Sequence, residues 1–338
     1  MINVAVIGLG RWGQGIVQAI QGKDGQGNSR RLHVLRGVSL EPRLVADFAR
    51  EHAFELSRDF DQAIRDPRID AVILATPHLS HVDQIVAVAS LGKPVWCEKP
   101  LALTRAQAQR AIDAVRRANV VIGLGNNKRF YPSMLELKRL VTAGEIGEVL
   151  HIEGHFTNEH STNVAGGWRD DPRQSPGAGM TGAGLHVLDS FVNLAGPIAR
   201  VDARLYTHKA PPDPRDVVAV LTQHTSGATG LMATVRAGPA YWRCHVFGTN
   251  GWAEARYETT LTLARMGHKP GTRTLAANIG LGDLLEAFAI AIEGGAPFPV
   301  STEQMLDTVS AFEAVIRSVE TGVPVEVSDR ASREGRSA

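Results

Sequence analysis

The sequence contains few cysteines and almost no net charge. Cys97 and Cys244 are the two cysteines among 338 residues, which excludes a disulfide framework or a cysteine-rich zinc site and favours a reducing compartment. Lysine and arginine number 36 and aspartate and glutamate 35, so the formal net charge is +1. That balance argues against a nucleic-acid partner, because polyanion binding needs a basic field.

Long apolar runs are also missing. No stretch reaches the roughly 18 consecutive apolar residues of a membrane span. The chain opens on the apolar segment 2–9 instead of a basic leader with a cleavage site. We therefore expect a soluble, cytoplasmic protein without a membrane partner, and the length predicts two domains at roughly 150 residues each.

The first third of the chain alternates short apolar runs with helical patterns. Strands are predicted at 4–9, 32–39, 71–76, 94–98 and 120–124. Helices are predicted from residue 15 and at 42–52, 82–91 and 104–118. This alternation predicts an α/β domain over 1–125, built on a doubly wound parallel sheet.

Beyond residue 126, strand patterns follow one another without helices between them. A helix at 132–143 leads to strands at 149–156, 200–208, 216–225, 228–236, 244–248 and 252–257, with turns at Ser226-Gly227 and Asn250-Gly251. Helical patterns return at 282–293 and 302–319. The pattern predicts an α+β domain over 126–327 with an antiparallel sheet, followed by a frayed tail at 328–338.

A G-x-G-x-x-G motif joins the first strand to the first helix. It consists of Gly8, Gly10 and Gly13, with Arg11 and Trp12 between the last two. The glycines permit a tight turn, close approach of a pyrophosphate and close helix–strand packing, while the helix N-terminus favours the phosphate charge. The motif in this context predicts dinucleotide binding.

The end of the second strand bears on the choice of cofactor. An NAD-binding protein commonly carries a carboxylate there, which binds the ribose 2′-hydroxyl. This sequence has Ser39, which does not repel a 2′-phosphate, and Arg43 could supply positive charge unless it is only a solvated helix residue. The sequence therefore favours NADP over NAD, with Glu41 nearby as the feature that leaves NAD open.

Two polar turns follow later strands of the predicted parallel sheet. We predict that both line the cofactor, because ligands bind beyond the carboxyl ends of such strands. The residues are Thr76, Pro77, His78 and His81 in the first turn and Glu98 and Lys99 in the second. Helix capping by Ser80 is the alternative for the first turn, and a solvated surface charge is the alternative for Lys99. The Lys99–Pro100 bond is a candidate cis peptide.

Seven segments occur in an order that resembles the Gfo/Idh/MocA family over residues 2–326. They are GLGRWG, ATPHLSH, CEKPLALT, NKRFYP, GEIGEV, GGWR and GLHVLD. The resemblance implies an N-terminal Rossmann domain and a C-terminal substrate and oligomerisation domain with an open, mostly antiparallel sheet. It also implies an NAD(P)-dependent dehydrogenase or reductase for a sugar, polyol or related cyclic alcohol, assembled as a homodimer or homotetramer through the sheet face.

Carried over by position, the resemblance assigns Lys99 as the catalytic lysine and His186 as the acid or base. An ammonium stabilises a developing alkoxide, and imidazole titrates near neutral pH. Helix capping, or a hydrogen bond within the core, is the alternative for His186. The family's aspartate four residues earlier is replaced by Gly182, so Thr181, Asp189 or water would have to hold the histidine.

This departure leaves other functions open. They are a dihydrodiol dehydrogenase, a small-molecule reductase and a non-catalytic NAD(P)-sensing regulator. Retention of both Lys99 and His186 favours an enzyme.

A glycine-rich polar segment at 157–169 resembles the family's substrate-side loop. It assigns Asn158, Trp168 and Arg169 to the substrate, with a solvated loop as the alternative. Three histidines nearby, His151, His155 and His160, suggest a metal site. However, His151 and His155 stand four residues apart on one strand, about 13 Å along it, which is too far for one ion. We expect no metal.

Overall fold

The computed structural model describes residues 1–22, 29–158, 167–177, 180–207, 216–277 and 280–327. Its strands are β1 (Ile2–Ile7), β2 (Leu32–Val38), β3 (Glu55–Ser57), β4 (Ala71–Leu74), β5 (Val95–Cys97), β6 (Ile122–Leu124), β7 (Val149–Thr157), β8 (Ile198–Thr207), β9 (Asp216–His224), β10 (Thr229–Val235), β11 (Tyr241–Gly248), β12 (Gly251–Arg256), β13 (Thr260–Arg265), β14 (Gly271–Thr274) and β15 (Val325–Glu326). Its helices are α1 (Arg11–Gln21), α2 (Ala46–Glu51), α3 (Phe60–Arg65), α4 (His81–Ser90), α5 (Arg105–Ala118), α6 (Pro132–Thr142), α7 (Gly184–Ala195), α8 (Leu281–Ile292) and α9 (Thr302–Thr321). The predicted tail at 328–338 lies outside the described residues.

The chain forms two compact units. The first comprises residues 1–102, 106–127 and 279–302, and the second comprises 103–105, 128–278 and 303–338. This division differs from the predicted one because α8 belongs to the first unit. The reason is packing: a Cβ added to Gly123 of β6 would lie 3.0 Å from Phe288 of α8.

Within the described residues, the first unit carries a six-stranded parallel sheet. Its order is β3-β2-β1-β4-β5-β6, as expected for a doubly wound fold. The four residues of β4 are fully buried, which explains its continuous apolar sequence. The predicted parallel sheet is confirmed, although the pattern did not reveal the three-residue strand β3 or α3.

The second unit carries a mixed sheet, nine-stranded in the part of the chain that is described. Its order is β14-β13-β12-β11-β7-β10-β9-β8-β15, and β7 and β10 run parallel whereas the other pairs are antiparallel. The predicted turn Ser226-Gly227 joins β9 to β10. The hairpin between β11 and β12 is also present, but its two-residue loop is Thr249-Asn250, one residue earlier than predicted, since Gly251 already pairs with Gly248. Gly227 has a φ of +91°, which favours glycine.

The two faces of the second sheet have different surroundings. One face is buried with α7, and a Cβ added to Gly154 of β7 would lie 2.3 Å from Val187 of that helix. The other face carries exposed apolar side chains, including Leu221 of β9 and its partner Leu231 of β10. The close approach of α7 places the N-terminal turn of this helix, with His186, against the sheet.

Candidate active site

Three predicted cofactor segments leave the first sheet at one edge. Ile7 of β1 is in register with Leu74 of β4, and Leu74 is in register with Cys97 of β5. Because these strands are parallel, the glycine turn, the Thr76 turn and the Lys99 turn follow them side by side. This is the edge at which open α/β sheets bind ligands.

The glycine turn fits a pyrophosphate. Gly8 has a φ of +92°, and a Cβ there would lie 2.6 Å from the Ala75 carbonyl oxygen. A Cβ at Gly13 would lie 1.9 Å from the Gly8 oxygen, so β1 and α1 require glycine at both positions. A Cβ at Gly10 would meet nothing within 4 Å, and the first turn of α1 contains no acidic residue. The open space and the helix N-terminus suit an anionic group.

Ser39 directly follows β2 and has a defined local bond. Its hydroxyl accepts a hydrogen bond from the backbone N–H of Glu41 at 3.2 Å. Arg43 is exposed, as are Arg11 and Trp12 at the start of α1. A small hydroxyl and an exposed guanidinium at this place are compatible with a ribose that carries a 2′-phosphate.

The turn after β4 is organised around His81, which is fully buried. The His81 Nδ1 lies 2.7 Å from the Pro100 carbonyl oxygen and Nε2 lies 2.9 Å from the Thr76 carbonyl oxygen. Burial holds the pKa of His81 below its ordinary value, although hydrogen bonding to the two carbonyls opposes the shift. His78 is also buried, with its ring 5.8 Å from that of His81. Helix capping by Ser80 was the alternative, and it is wrong because Ser80 makes no side-chain cap bond.

The turn after β5 presents Lys99. The Lys99–Pro100 peptide bond is cis. The Lys99 N–H donates to Glu98 Oε2 at 3.2 Å, and the buried Glu98 carboxyl group packs over Gly125, where a Cβ would lie 2.9 Å from Glu98 Cδ. These contacts fix the backbone of the turn, while the Lys99 side chain is half-buried.

His186 lies in the first turn of α7 and is 5% exposed. Its ring packs edge-on against Phe156 of β7, with 5.7 Å between the centroids. The histidine is therefore held in the interior of the second unit, at the N-terminal end of α7.

The two side chains predicted to orient His186 have other bonds in the structure. Thr181 is buried, and its hydroxyl bonds to that of Ser175. The Asp189 carboxylate accepts a bidentate pair of bonds from Arg129, at 2.7 Å each. The sequence reasoning missed Arg129, although it lies in the NKRFYP segment.

An aromatic group surrounds Lys128 in the second unit. The Lys128 ammonium lies 4.2, 4.9 and 5.8 Å from the ring centroids of Tyr131, Phe156 and Trp242. Cation–π attraction stabilises an ammonium in such surroundings. Lys128 and His186 thus contact the same ring, that of Phe156. The sequence signal was again NKRFYP, to which no role had been given.

The predicted substrate loop is described in part, because residues 159–166, including His160, lie outside the described ranges. The Asn158 carbonyl accepts a bond from the Gly238 N–H at 3.4 Å. The Arg169 guanidinium lies 4.2 Å from the ring centroid of Trp168. This stacked pair offers a flat apolar surface beside a positive charge.

The two described histidines of the suggested metal site have neighbouring threonines as partners. The His151 Nδ1 lies 2.7 Å from Thr229 Oγ1, and the His155 Nε2 lies 2.9 Å from Thr157 Oγ1. Among the described residues, no group of three or more histidine, cysteine, aspartate or glutamate side chains is arranged to hold a metal ion. None of the described helices is long and apolar enough to span a membrane.

The strand order of the first unit and its glycine turn define a dinucleotide-binding Rossmann protein. Residues 2–126 match the oxidoreductase family described as having an NAD-binding Rossmann fold, and residues 134–254 match the GFO/IDH/MocA C-terminal domain. This chain belongs to the Gfo/Idh/MocA family of oxidoreductases.

Individual proteins of known name are similar along much of the chain. Rhizopine catabolism protein MocA of Rhizobium meliloti is 30% identical over 260 residues, which are 73% of this chain and 74% of that protein. Inositol 2-dehydrogenase 2 of Saccharopolyspora erythraea is 27% identical over 340 residues, covering 97% and 96%. A structure of levoglucosan dehydrogenase with NADH and levoglucosan has a TM-score of 0.85 at 26% identity, covering 97% of this chain and 100% of that chain.

Proposed function

We propose that this protein is an NAD(P)-dependent oxidoreductase for a hydroxyl or carbonyl group of a sugar, polyol or related cyclic alcohol. The observation that carries the proposal is that the glycine turn and the Lys99 turn lie at the same edge of the first sheet. The glycine turn follows β1 and the Lys99 turn follows β5, and both strands pair in parallel with β4. The names of the inositol and levoglucosan relatives support this substrate class. When bound, the nicotinamide supplies the hydride chemistry.

The residues of this chain would bind the substrate and handle its hydroxyl proton. We assign to the Lys99 ammonium the stabilisation of the developing alkoxide, and to His186 the exchange of the proton. Arg169 and the face of Trp168 would contact the substrate, together with Asn158. The assignment of His186 is supported by its place in the GLHVLD segment, which resembles that of the family, and by the ability of an imidazole to exchange a proton near neutral pH.

For the cofactor we propose NADP in preference to NAD. Ser39 occupies the position after β2 at which a carboxylate would repel a 2′-phosphate, and the exposed Arg43 follows it. The Glu41 side chain is also exposed nearby. Binding affinities for the two oxidised cofactors, measured on the same preparation, test the preference directly.

We further propose a cytoplasmic homodimer or homotetramer. Both cysteines, Cys97 and Cys244, are buried free thiols, which suits a reducing compartment. Leu221 and Leu231 are 57% and 42% exposed on the open face of the second sheet, where pairing between copies would cover them. Light scattering coupled to gel filtration tests the assembly, and a Leu221→Arg/Leu231→Arg variant should shift it to the monomer.

Absorbance at 340 nm tests the activity. Purified protein is mixed with NADP or NADPH, and separately with NAD or NADH, against a panel of inositols, sugars, anhydrosugars and the corresponding ketones. We expect turnover to fall at least about 100-fold in Lys99→Met, which removes the stabilising charge, and in His186→Asn, which removes the general acid or base. Lys93→Met is the matched control, because Lys93 precedes β5 at its other end and bonds to the Asp66 carbonyl.

A second candidate is a non-catalytic NAD(P)-sensing regulator, which is favoured by Gly182 in place of the carboxylate. Cofactor binding without turnover on the whole panel, and without any effect of Lys99→Met, would support that candidate. Turnover confined to unsaturated cyclic diols would instead support a dihydrodiol dehydrogenase. Turnover that survives Lys99→Met would remove Lys99 from the catalytic assignment.

A further inference from the structure

His81 joins the two turns that follow β4 and β5. Its ring is fully buried at the start of α4, with Nδ1 2.7 Å from the Pro100 carbonyl oxygen and Nε2 2.9 Å from that of Thr76. Carbonyl oxygens only accept hydrogen bonds, so the ring donates to one of them when neutral and to both when protonated. Because both ring nitrogens are bonded to carbonyls of the protein, the side chain has no polar atom left for a hydrogen bond to a ligand.

The contact between His81 and the Pro100 carbonyl fixes the backbone directly after Lys99. On the other side of Lys99, the Glu98 N–H donates to the Leu74 carbonyl at 2.9 Å, and the Lys99 N–H donates to Glu98 Oε2. The Lys99 backbone is therefore held from β4 before the lysine and from His81 after it. Pro100 lacks an N–H, so its carbonyl is the one polar backbone group by which this residue can be held after Lys99.

The contact between His81 and the Thr76 carbonyl fixes the turn after β4. The Thr76 hydroxyl also donates to Gln84 Oε1 at 2.6 Å, so the carbonyl and the hydroxyl of Thr76 are both bonded to α4. Because α4 starts at His81 and packs on the sheet, the helix provides a rigid base for the ring. The distance between the two turns is thus set by a rigid, buried side chain.

We propose that His81 is a positioning residue that sets the location of the Lys99 ammonium by holding the Lys99–Pro100 turn against the Thr76 turn. The inference rests on the proposed role of Lys99, and it differs from the sequence-based assignment of His81 to the cofactor itself. A displacement of about 1 Å in a catalytic group can lower a rate by about 100-fold. Loss of the ring contacts should therefore reduce turnover without removing any group that touches substrate.

The test compares His81→Phe with His52→Phe. Both histidines are buried in the first unit, and His52 Nδ1 lies 3.0 Å from the Phe48 carbonyl, so both substitutions remove carbonyl contacts and keep a ring. We expect kcat to fall by about 10- to 100-fold in His81→Phe, with the cofactor Kd nearly unchanged, and neither to change in His52→Phe. His81→Gln keeps one hydrogen-bond donor, so its kcat should lie between those of His81→Phe and the unaltered protein. This variant replaces His81→Phe in the test if the phenylalanine variant does not fold.

Hydrogen exchange provides a readout that is independent of activity. In the protein without added cofactor, amides of residues 98–103 should exchange faster in His81→Phe than in the unaltered protein, and His52→Phe should not change them. Protection that is unaltered in this segment, or a loss in kcat matched by an equal loss of cofactor affinity, would overturn the inference.

A double-variant cycle separates this inference from the proposed function. If His81 acts through Lys99, then Lys99→Met/His81→Phe should have the same kcat as Lys99→Met alone. Independent, multiplied losses would mean that His81 acts elsewhere, and the inference would be wrong. Turnover retained in Lys99→Met would instead contradict the proposed function, whatever His81→Phe does.

Discussion

Arg129 and Asp189 form a bidentate ion pair in the interior of the second unit. The Nε–Oδ2 and Nη2–Oδ1 distances are both 2.7 Å, and the side chains are 4% and 2% exposed. Gln304 Oε1 accepts a further bond from Arg129 at 2.7 Å. Asp189 lies one turn beyond His186 on α7, so the pair fixes the rotation of the helix that carries the proposed base.

Removal of one partner of this pair should be costly. We expect Asp189→Asn to lower the free energy of unfolding by about 3–5 kcal/mol, because it leaves the Arg129 guanidinium buried without its counter-charge. Urea unfolding measures the change. Asp47→Asn is the control, since Asp47 pairs with Arg50 at the surface and its loss should leave stability nearly unchanged. Similar small changes in both variants would contradict the prediction.

Alanine substitutions should separate the two functions of the glycine turn. Gly13→Ala should lower the free energy of unfolding by about 1–3 kcal/mol, because its Cβ would lie 1.9 Å from the Gly8 oxygen. Gly10→Ala should fold normally but bind cofactor at least about tenfold more weakly, because its methyl group occupies the open space beside α1. Thermal unfolding and cofactor titration measure the two effects. Equal cofactor affinity in Gly10→Ala and the unaltered protein would place the pyrophosphate elsewhere.

Ser39→Asp should reverse the proposed cofactor preference. The new carboxylate can still accept the bond from the Glu41 N–H, so the turn should fold, but it would repel a 2′-phosphate. We expect NADP affinity to fall by at least about tenfold and NAD affinity to be maintained or to rise.

Arg43→Ala should lower the affinity for NADP and leave that for NAD unchanged. Arg50→Ala, at another exposed arginine, is the control. Equal effects on both cofactors would show that this segment does not contact the 2′ position.

The free energy of unfolding should fall as the pH decreases below about 6.5. Burial lowers the pKa of His224 and of His245, with Arg243 adding to the effect at His245. The folded state therefore binds fewer protons than the unfolded chain, in which histidine titrates near 6.5. This contribution to stability is complete above the unfolded pKa and is lost progressively as the pH falls from that value through the lower pKa of the folded state.

Urea unfolding between about pH 7 and pH 5 measures this loss. Carboxylates with lowered pKa values, such as Glu55 at about 2, contribute mainly below their unfolded value of 4.5 and do not interfere in this interval. The variant His224→Asn/His245→Asn should show a flatter pH profile, whereas His268→Asn at the surface serves as the control. An unchanged slope in the double variant would show that other groups cause the dependence.

Local patterns predicted much of the architecture because they reflect local physical requirements. Fully apolar runs such as β4 occur where a strand is covered on both faces, and the Asn250-Gly251 pair located the hairpin between β11 and β12 to within one residue. The strand β3 and helix α3 are too short to produce a clear period. The prediction placed α8 in the 126–327 domain, whereas the structure groups it with the first unit. Nothing in the sequence of α8 itself reveals that Phe288 packs against Gly123.

The site shows the same difference between local and distant relationships. Three features could be predicted from the amino-acid sequence: the glycine turn, the placement of Lys99 at the end of a parallel strand, and Gly182 where the family has a carboxylate. The pairing of Arg129 with Asp189, and the position of His81 between the Thr76 and Pro100 carbonyls, become apparent in the folded chain. Arg129 and Asp189 are 60 residues apart, and their contact depends on the packing of α7 rather than on any nearby pattern. Strand periodicity and turn chemistry are encoded within a few residues, whereas the partner of a buried polar group is chosen by the fold as a whole.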